Sequence, residues 1–165
     1  MNLIVIGERL LESPEAFKAV EIAILAEAFY QLKKLDKELF RAFEKQFSIK
    51  SEHVNAQDIA SFCKVLFSEE YSISEETKSK ITSVCDILYH NIDANCLRKM
   101  FENFGERYKQ KKYNEEYVNF CLRKYKNLEK KEEIRGANLS YIRNEINKAK
   151  TDEMFKKKLM KMFSK

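Results

Sequence analysis

The chain has 165 residues, of which 44% are hydrophobic and 35% charged, and its net charge is +5. Only three glycines and one proline occur, which excludes collagen-like, linker-like and proline-rich disordered classes and disfavours an all-β fold, whose turns need those residues. No apolar run approaches the ~18 residues of a membrane-spanning helix, so the expectation is a soluble, all-α domain without a transmembrane segment.

Segment 3–11 reads as helix rather than strand. Its run Leu3-Ile-Val-Ile6 is too short for a secretory signal and has no basic region before it, and it lacks the Arg- and Ser-rich character of a transit peptide. The expectation is a protein made where it works, or one whose address is unconventional or already removed. Ser13-Pro14-Glu15 predicts a helix start, with Ser as cap and Pro at the first position. Phe17, Val20, Ile22, Leu25, Ala26, Phe29 and Leu32 then recur at helical spacing, and Lys33 and Lys34 suit the C-terminal end.

Five further caps and apolar stripes follow. Asp36 precedes Leu39, Phe40, Phe43 and Phe47; Asn55 precedes Ile59, Phe62, Cys63, Leu66 and Phe67. Ser74, with Glu75, Glu76 and Thr77 in the first turn, precedes Ile81, Val84, Cys85, Leu88 and Tyr89. Asp93 precedes Leu97, Met100, Phe101 and Phe104, and Asn114 precedes Tyr117, Val118, Cys121, Leu122 and Tyr125. Each is a short side-chain acceptor that can hold the free N–H groups of a first turn. A highly charged stretch, 124–135, leads to Gly136; Leu139, Ile142 and Ile146 mark a seventh helix, and Met154, Leu159, Met160 and Phe163 an eighth with a lysine-rich opposite face.

The helices pair into a repeat. Ala19-Val-Glu-Ile22, Ala56-Gln-Asp-Ile59 and Ala94-Asn-Cys-Leu97 align at offsets of 37 and 38 residues. The alignment continues through Leu25, Phe62 and Met100, then Ala26, Cys63 and Phe101, then Phe29, Leu66 and Phe104. A two-helix unit of this period predicts an α-solenoid-like stack of about three hairpins, in which each hairpin buries the apolar face its neighbour cannot bury alone. The predicted organisation is an N-terminal cap at 1–13, a helical-repeat domain at 14–128 and a basic helical extension at 129–165.

Catalytic and metal chemistry has little to draw on. Cys63, Cys85, Cys96 and Cys121 form no Cys-x-x-Cys pair and have no histidine at zinc-finger spacing, so they read as small core hydrophobes in a reducing compartment. Gly7, Gly105 and Gly136 are isolated, so no phosphate-binding loop is present, and no nucleophile elbow occurs. His53 and His90 sit near hairpin ends, and the pairs Glu69-Glu70, Glu75-Glu76 and Glu132-Glu133 are adjacent and splay around a helix. The expectation is a non-enzyme with no cofactor, no metal and no small-molecule substrate.

Charge is divided unevenly. Residues 1–106 carry 13 cations against 18 carboxylates, net −5; residues 107–165 carry 18 against 8, net +10. The asymmetry suits a polyanion facing the C-terminal third, and it suits equally a plain lysine-rich surface. If the polyanion is RNA, the best stretch is Arg107-Tyr108-Lys109-Gln-Lys111-Lys112-Tyr113, where cations for phosphate alternate with aromatics for bases. Arg123, Lys124 and Lys126 around Tyr125 come next, then Lys130 and Lys131, then the tail with Lys156, Lys157, Lys158, Lys161 and Lys165. The tail fits a protein or an anionic membrane surface as well.

Two motifs carry a family resemblance: Val54-Asn-Ala-Gln-Asp-Ile-Ala60 and Asp36-Lys-Glu-Leu-Phe40. With them the chain, over about residues 18–125, resembles the organellar heptatricopeptide and octotricopeptide repeat proteins, related to the helical region of the FAST-kinase-like family. The first unit has Val20-Glu21-Ile22-Ala23 at the motif, and the third departs from it with Asn95-Cys96-Leu97-Arg98. The resemblance implies RNA binding, and for short members a place in mitochondrial ribosomes with fragmented rRNA. No RAP domain is recognisable, so it implies no nuclease. The expected function is therefore a structural rRNA-binding component of an organellar ribosome in the mitochondrial matrix, with a cytoplasmic location as the alternative. The competing readings are a protein–protein adaptor in a respiratory or ATP-synthase complex, an effector, and an anti-defence protein.

Overall fold

The computed structural model describes residues 2–68 and 71–164; the Glu69-Glu70 pair and Lys165 lie outside them. Among the described residues it is all-helical and has no strand. Ten helices follow one another: α1 (Leu3–Glu12), α2 (Ala19–Gln31), α3 (Lys37–Lys50), α4 (Ala56–Leu66), α5 (Glu75–Ile87), α6 (Ala94–Met100), α7 (Phe104–Lys109), α8 (Glu115–Lys130), α9 (Gly136–Ala149) and α10 (Glu153–Phe163).

The expected caps hold these helices. Asp36, Asn55, Asp93 and Asn114 each accept the backbone N–H three residues on, at 2.8–2.9 Å, and Ser74 Oγ accepts from Thr77 at 3.1 Å. Asn55 and Asp58 form a reciprocal box, since Asp58 Oδ2 accepts the Asn55 N–H at 3.2 Å. Asp152 caps α10 in the same way, through Phe155 N at 3.0 Å.

Two boundaries differ from the sequence expectation. Ser13 makes no side-chain cap bond, and Pro14–Ala16 is a 3-10 turn. The chain is extended at Phe17 and Lys18, so α2 starts only at Ala19, where Glu21 Oε1 accepts the Lys18 N–H at 2.9 Å. Lys50 Nζ reaches back from the end of α3 to the carbonyls of Pro14 and Phe17 and fixes this link. The predicted fifth helix is also two, α6 and α7, broken at Asn103, whose φ of 55° is left-handed. Asparagine tolerates that conformation. The break lets Phe101 and Phe104 stack side by side in the core, with ring centroids 4.6 Å apart.

The helices pack in two rows. One runs α2, α4, α6, α9, each in contact with the next; the other runs α3, α5, α8. The aligned positions explain this. Ile22, Ile59 and Leu97 are all fully buried, as are Ala26, Cys63 and Phe101. Ala19 is buried, whereas Ala56 and Ala94 are half-buried. One continuous core extends from Leu10 in α1 to Leu159 in α10.

Helix α7 approaches α9 closely at Gly105. A Cβ on Gly105 would meet Lys148 Cβ at 2.5 Å and the Glu145 carbonyl oxygen at 3.1 Å, so the backbones of α7 and α9 touch there. Gly105→Ala is expected to force them apart and cost about 2 kcal/mol, readable as a lower urea midpoint.

Among the described residues three helix ends close through a left-handed residue that is not glycine: Lys33, Lys111 and Glu132. At each, the next N–H bonds back to the carbonyl five residues earlier, as in Lys34 N to Phe29 O, Lys112 N to Arg107 O and Glu133 N to Leu128 O, all 2.9 Å. Glu132 is exposed, so Glu132→Gly should remove its conformational cost and stabilise the chain by about 0.5–1 kcal/mol in thermal unfolding.

Candidate functional site

The basic C-terminal third is built from α7, α8, α9 and α10. Two residues of its best RNA-binding stretch by sequence, Arg107 and Tyr113, turn inward. Arg107 is 1% exposed. Its Nη2 donates to the Lys64 carbonyl at 3.0 Å and to the Tyr30 hydroxyl at 3.4 Å. Burial disfavours the guanidinium charge, but the oxygens of Tyr113 and Tyr30, then Tyr117, outweigh it and hold the pKa up. Tyr113 is buried too, its ring 4.8 Å from Phe67 and 4.9 Å from Tyr117, and burial pushes its hydroxyl well above the ordinary range. Tyr108 is half-buried with its ring 4.8 Å from Phe155. Arg107 and Tyr113 are thus core residues, and the expectation that they face RNA is corrected. The physical reason is local to α7: residues 104 and 107 are three apart and share one face, so Arg107 follows the fully buried Phe104 inside.

The second group divides. Lys124 is 4% exposed, with its ammonium 4.3 Å from the centroid of Tyr89, and burial lowers its pKa; it too is corrected from surface to core. Arg123 is exposed and bonds Asp86 of α5 at 3.1 Å. Lys126 donates to the Met162 carbonyl at 2.6 Å, and Lys158 bonds Glu115 and, at 2.7 Å, Asn119. These two lysines fasten α10 to α8. Tyr125 is buried, its hydroxyl bonded to Glu129 and to Arg143 Nε at 3.3 Å.

Lys109, Lys111, Lys130, Lys131, Lys156 and Lys157 are exposed, and Lys112 is half-buried. They stand at the ends of α7 and α8 and on α10, and Lys109 pairs loosely with Glu106 at 3.9 Å.

A feature the sequence reading missed lies between α8, α9 and α10. An open groove of about 500 Å³ has Tyr125, Ile146, Leu159 and Phe163 along its floor and Lys150 and Lys156 on its rim. Met160, read as a core position, is 65% exposed beside it, and Met154 is 79% exposed. The signal was present as Ile146 and Lys150 one turn apart on α9, and Leu159 and Phe163 one turn apart on α10.

A polar cluster joins α2, α4 and α6. Glu27 of α2 accepts from Ser61 of α4 at 2.6 Å and from Lys99 of α6 at 2.9 Å, with Lys64 at 3.5 Å. Burial raises the Glu27 pKa, but the hydrogen bonds from Ser61 and Lys99 and the charges of Lys99 and Lys64 outweigh it, so the carboxyl lies below the ordinary 4.5. A lowered folded pKa contributes stability above the unfolded value and loses it as the pH falls through the folded one. Glu27→Gln should therefore cost about 1 kcal/mol at neutral pH, and the difference from wild type should vanish in unfolding titrations well below pH 4.5.

The four cysteines are free and buried, and burial pushes the Cys85 and Cys121 thiols well above the usual range. Among the described residues, no three His, Cys, Asp or Glu side chains are placed to hold a metal ion, and no helix is long and apolar enough to cross a membrane. No protein-family model matches the chain, and neither a curated protein nor a solved structure shows significant similarity to it.

Proposed function

We propose that the chain is a non-catalytic helical scaffold of short α-solenoid type, whose surface holds protein neighbours together in a larger assembly. The observation that carries this reading is the division of side chains at the C-terminal third. The aromatic and cationic residues suited to bases are spent on the core, while an apolar groove with a lysine rim faces solvent. Such a surface suits protein docking, which takes apolar area with charge at its edge. The order of contacts along the two rows supports the solenoid description. The test is purification from the native source under mild conditions. Co-migration with a protein complex that resists nuclease supports the scaffold; recovery of the chain alone overturns it.

A second reading rests on the net +10 of residues 107–165. In it the chain is a structural rRNA-binding component of an organellar ribosome, of the heptatricopeptide or octotricopeptide kind, in the mitochondrial matrix. Contact would then be made with phosphate alone, through Lys130, Lys131, Lys156 and Lys157. Reversing these four charges should abolish salt-sensitive RNA binding while leaving helicity intact; unchanged binding removes the reading.

A further inference from the structure

The two ends of the molecule differ in charge and share exposed apolar side chains. At the N-terminal end, α1 packs on α3 with Gly7 against Phe29 and Leu39. Its opposite face carries Ile4 at 68% and Val5 at 48% exposure, with Leu11 at 36%. Ile4, Glu8 and Leu11 follow one another at four and three residues, so they form one ridge about 10 Å long, with Glu12 beside it. Residues 1–31 hold five carboxylates and two cations.

At the C-terminal end the groove between α8, α9 and α10 has the complementary character. Its floor is apolar; Glu129 and Arg143, which also line it, are paired with each other at 3.3 Å, while Lys150 and Lys156 on its rim have no acidic partner among the described residues. Residues 143–165 hold eight cations and three carboxylates.

From this complementarity we infer that the groove receives α1 of a second copy of the chain, so that molecules associate head to tail. Ile4 and Leu11 enter the floor between Ile146, Leu159 and Phe163, and Glu8 and Glu12 meet Lys150 and Lys156. This is the helix-in-groove mode of recognition. The two surfaces lie at opposite ends of the helix rows, so the contact is heterologous. Each added copy leaves a new ridge and a new groove free. The ion pairs stand at the rim, so salt weakens the association. The inference goes beyond the scaffold reading and does not need it, because it concerns the purified chain alone.

The experiment is sedimentation of the purified full-length chain over a range of concentrations, at low and raised salt, with two variants. Ile4→Glu breaks the ridge and Met160→Glu the groove; both side chains are exposed, so circular dichroism should show the wild-type fold. Wild type is expected to grow beyond a dimer as concentration rises, and less so in salt. Each variant alone is expected to associate at least about tenfold more weakly. Mixed, they should form a heterodimer and nothing larger, through the intact groove of one and the intact ridge of the other. A wild type that stays monomeric, an association that survives either substitution, or a mixture that does not pair overturns the inference.

Discussion

Arg107→Ala is expected to destabilise the chain by about 3 kcal/mol, measured by urea unfolding at neutral pH. The substitution opens a cavity and leaves the Lys64 carbonyl without its donor in the core. That loss is a large fraction of the ~5–15 kcal/mol that holds a domain together. Arg107→Met separates volume from charge. Among the described residues no carboxylate is paired with this guanidinium, so methionine strands no buried anion and should cost less than alanine. An Arg107→Ala chain of unchanged stability with weakened RNA binding would return Arg107 to the surface role that its tyrosine neighbours suggest in the sequence.

Phe155→Ala should release α10 while the rest stays folded. Phe155 is fully buried, its ring 6.0 Å from Phe104 and 4.8 Å from Tyr108. Removing such a ring costs about 3–5 kcal/mol. The other ties of α10 are the smaller buried side chain of Leu159, the Tyr125–Phe163 ring contact at 6.3 Å, and bonds from Lys126 and Lys158, which reach partly exposed groups and contribute little each. Amide exchange in Glu153–Phe163 is therefore expected to accelerate about a hundredfold or more, with α4 unaffected. Equal acceleration in every helix would mean that α10 is part of one cooperative unit with the rest.

Much of the architecture was readable because its signals are local. Asp36, Asn55, Ser74, Asp93 and Asn114 each cap the helix they precede, since a cap needs only a side-chain oxygen and the next turn. Burial of Ile22, Ile59 and Leu97 followed from period alone. The break at Asn103 was not readable, because it depends on Gly105 meeting the backbone of α9, some forty residues away. The candidate site failed for a chemical reason. A cation followed by tyrosines, as Arg107 is by Tyr108 and Tyr113, is a pattern that serves a nucleotide base or a buried guanidinium equally. Only the face of α7 that Arg107 shares with Phe104 distinguishes them, and cations are rarely counted on an apolar face. The groove was missed because it belongs to three helices at once.

The hydrogen bonds along the first row also bear on how the chain comes apart. Most bridge one repeat step: Ser61 to Glu27 spans 34 residues and Arg107 to Lys64 spans 43. A stack held only by such neighbours can fray from either end in stages. Among the described residues, the bonds of Lys99 and Arg107 to α2 skip a step. Lys99 reaches Glu27 across 72 residues, and Arg107 reaches Tyr30 across 77. Each sews the third hairpin directly to the first, so that neither can open without loosening the other. With these two stitches in place the middle of the molecule is expected to melt as one body, leaving only the outermost helices to breathe.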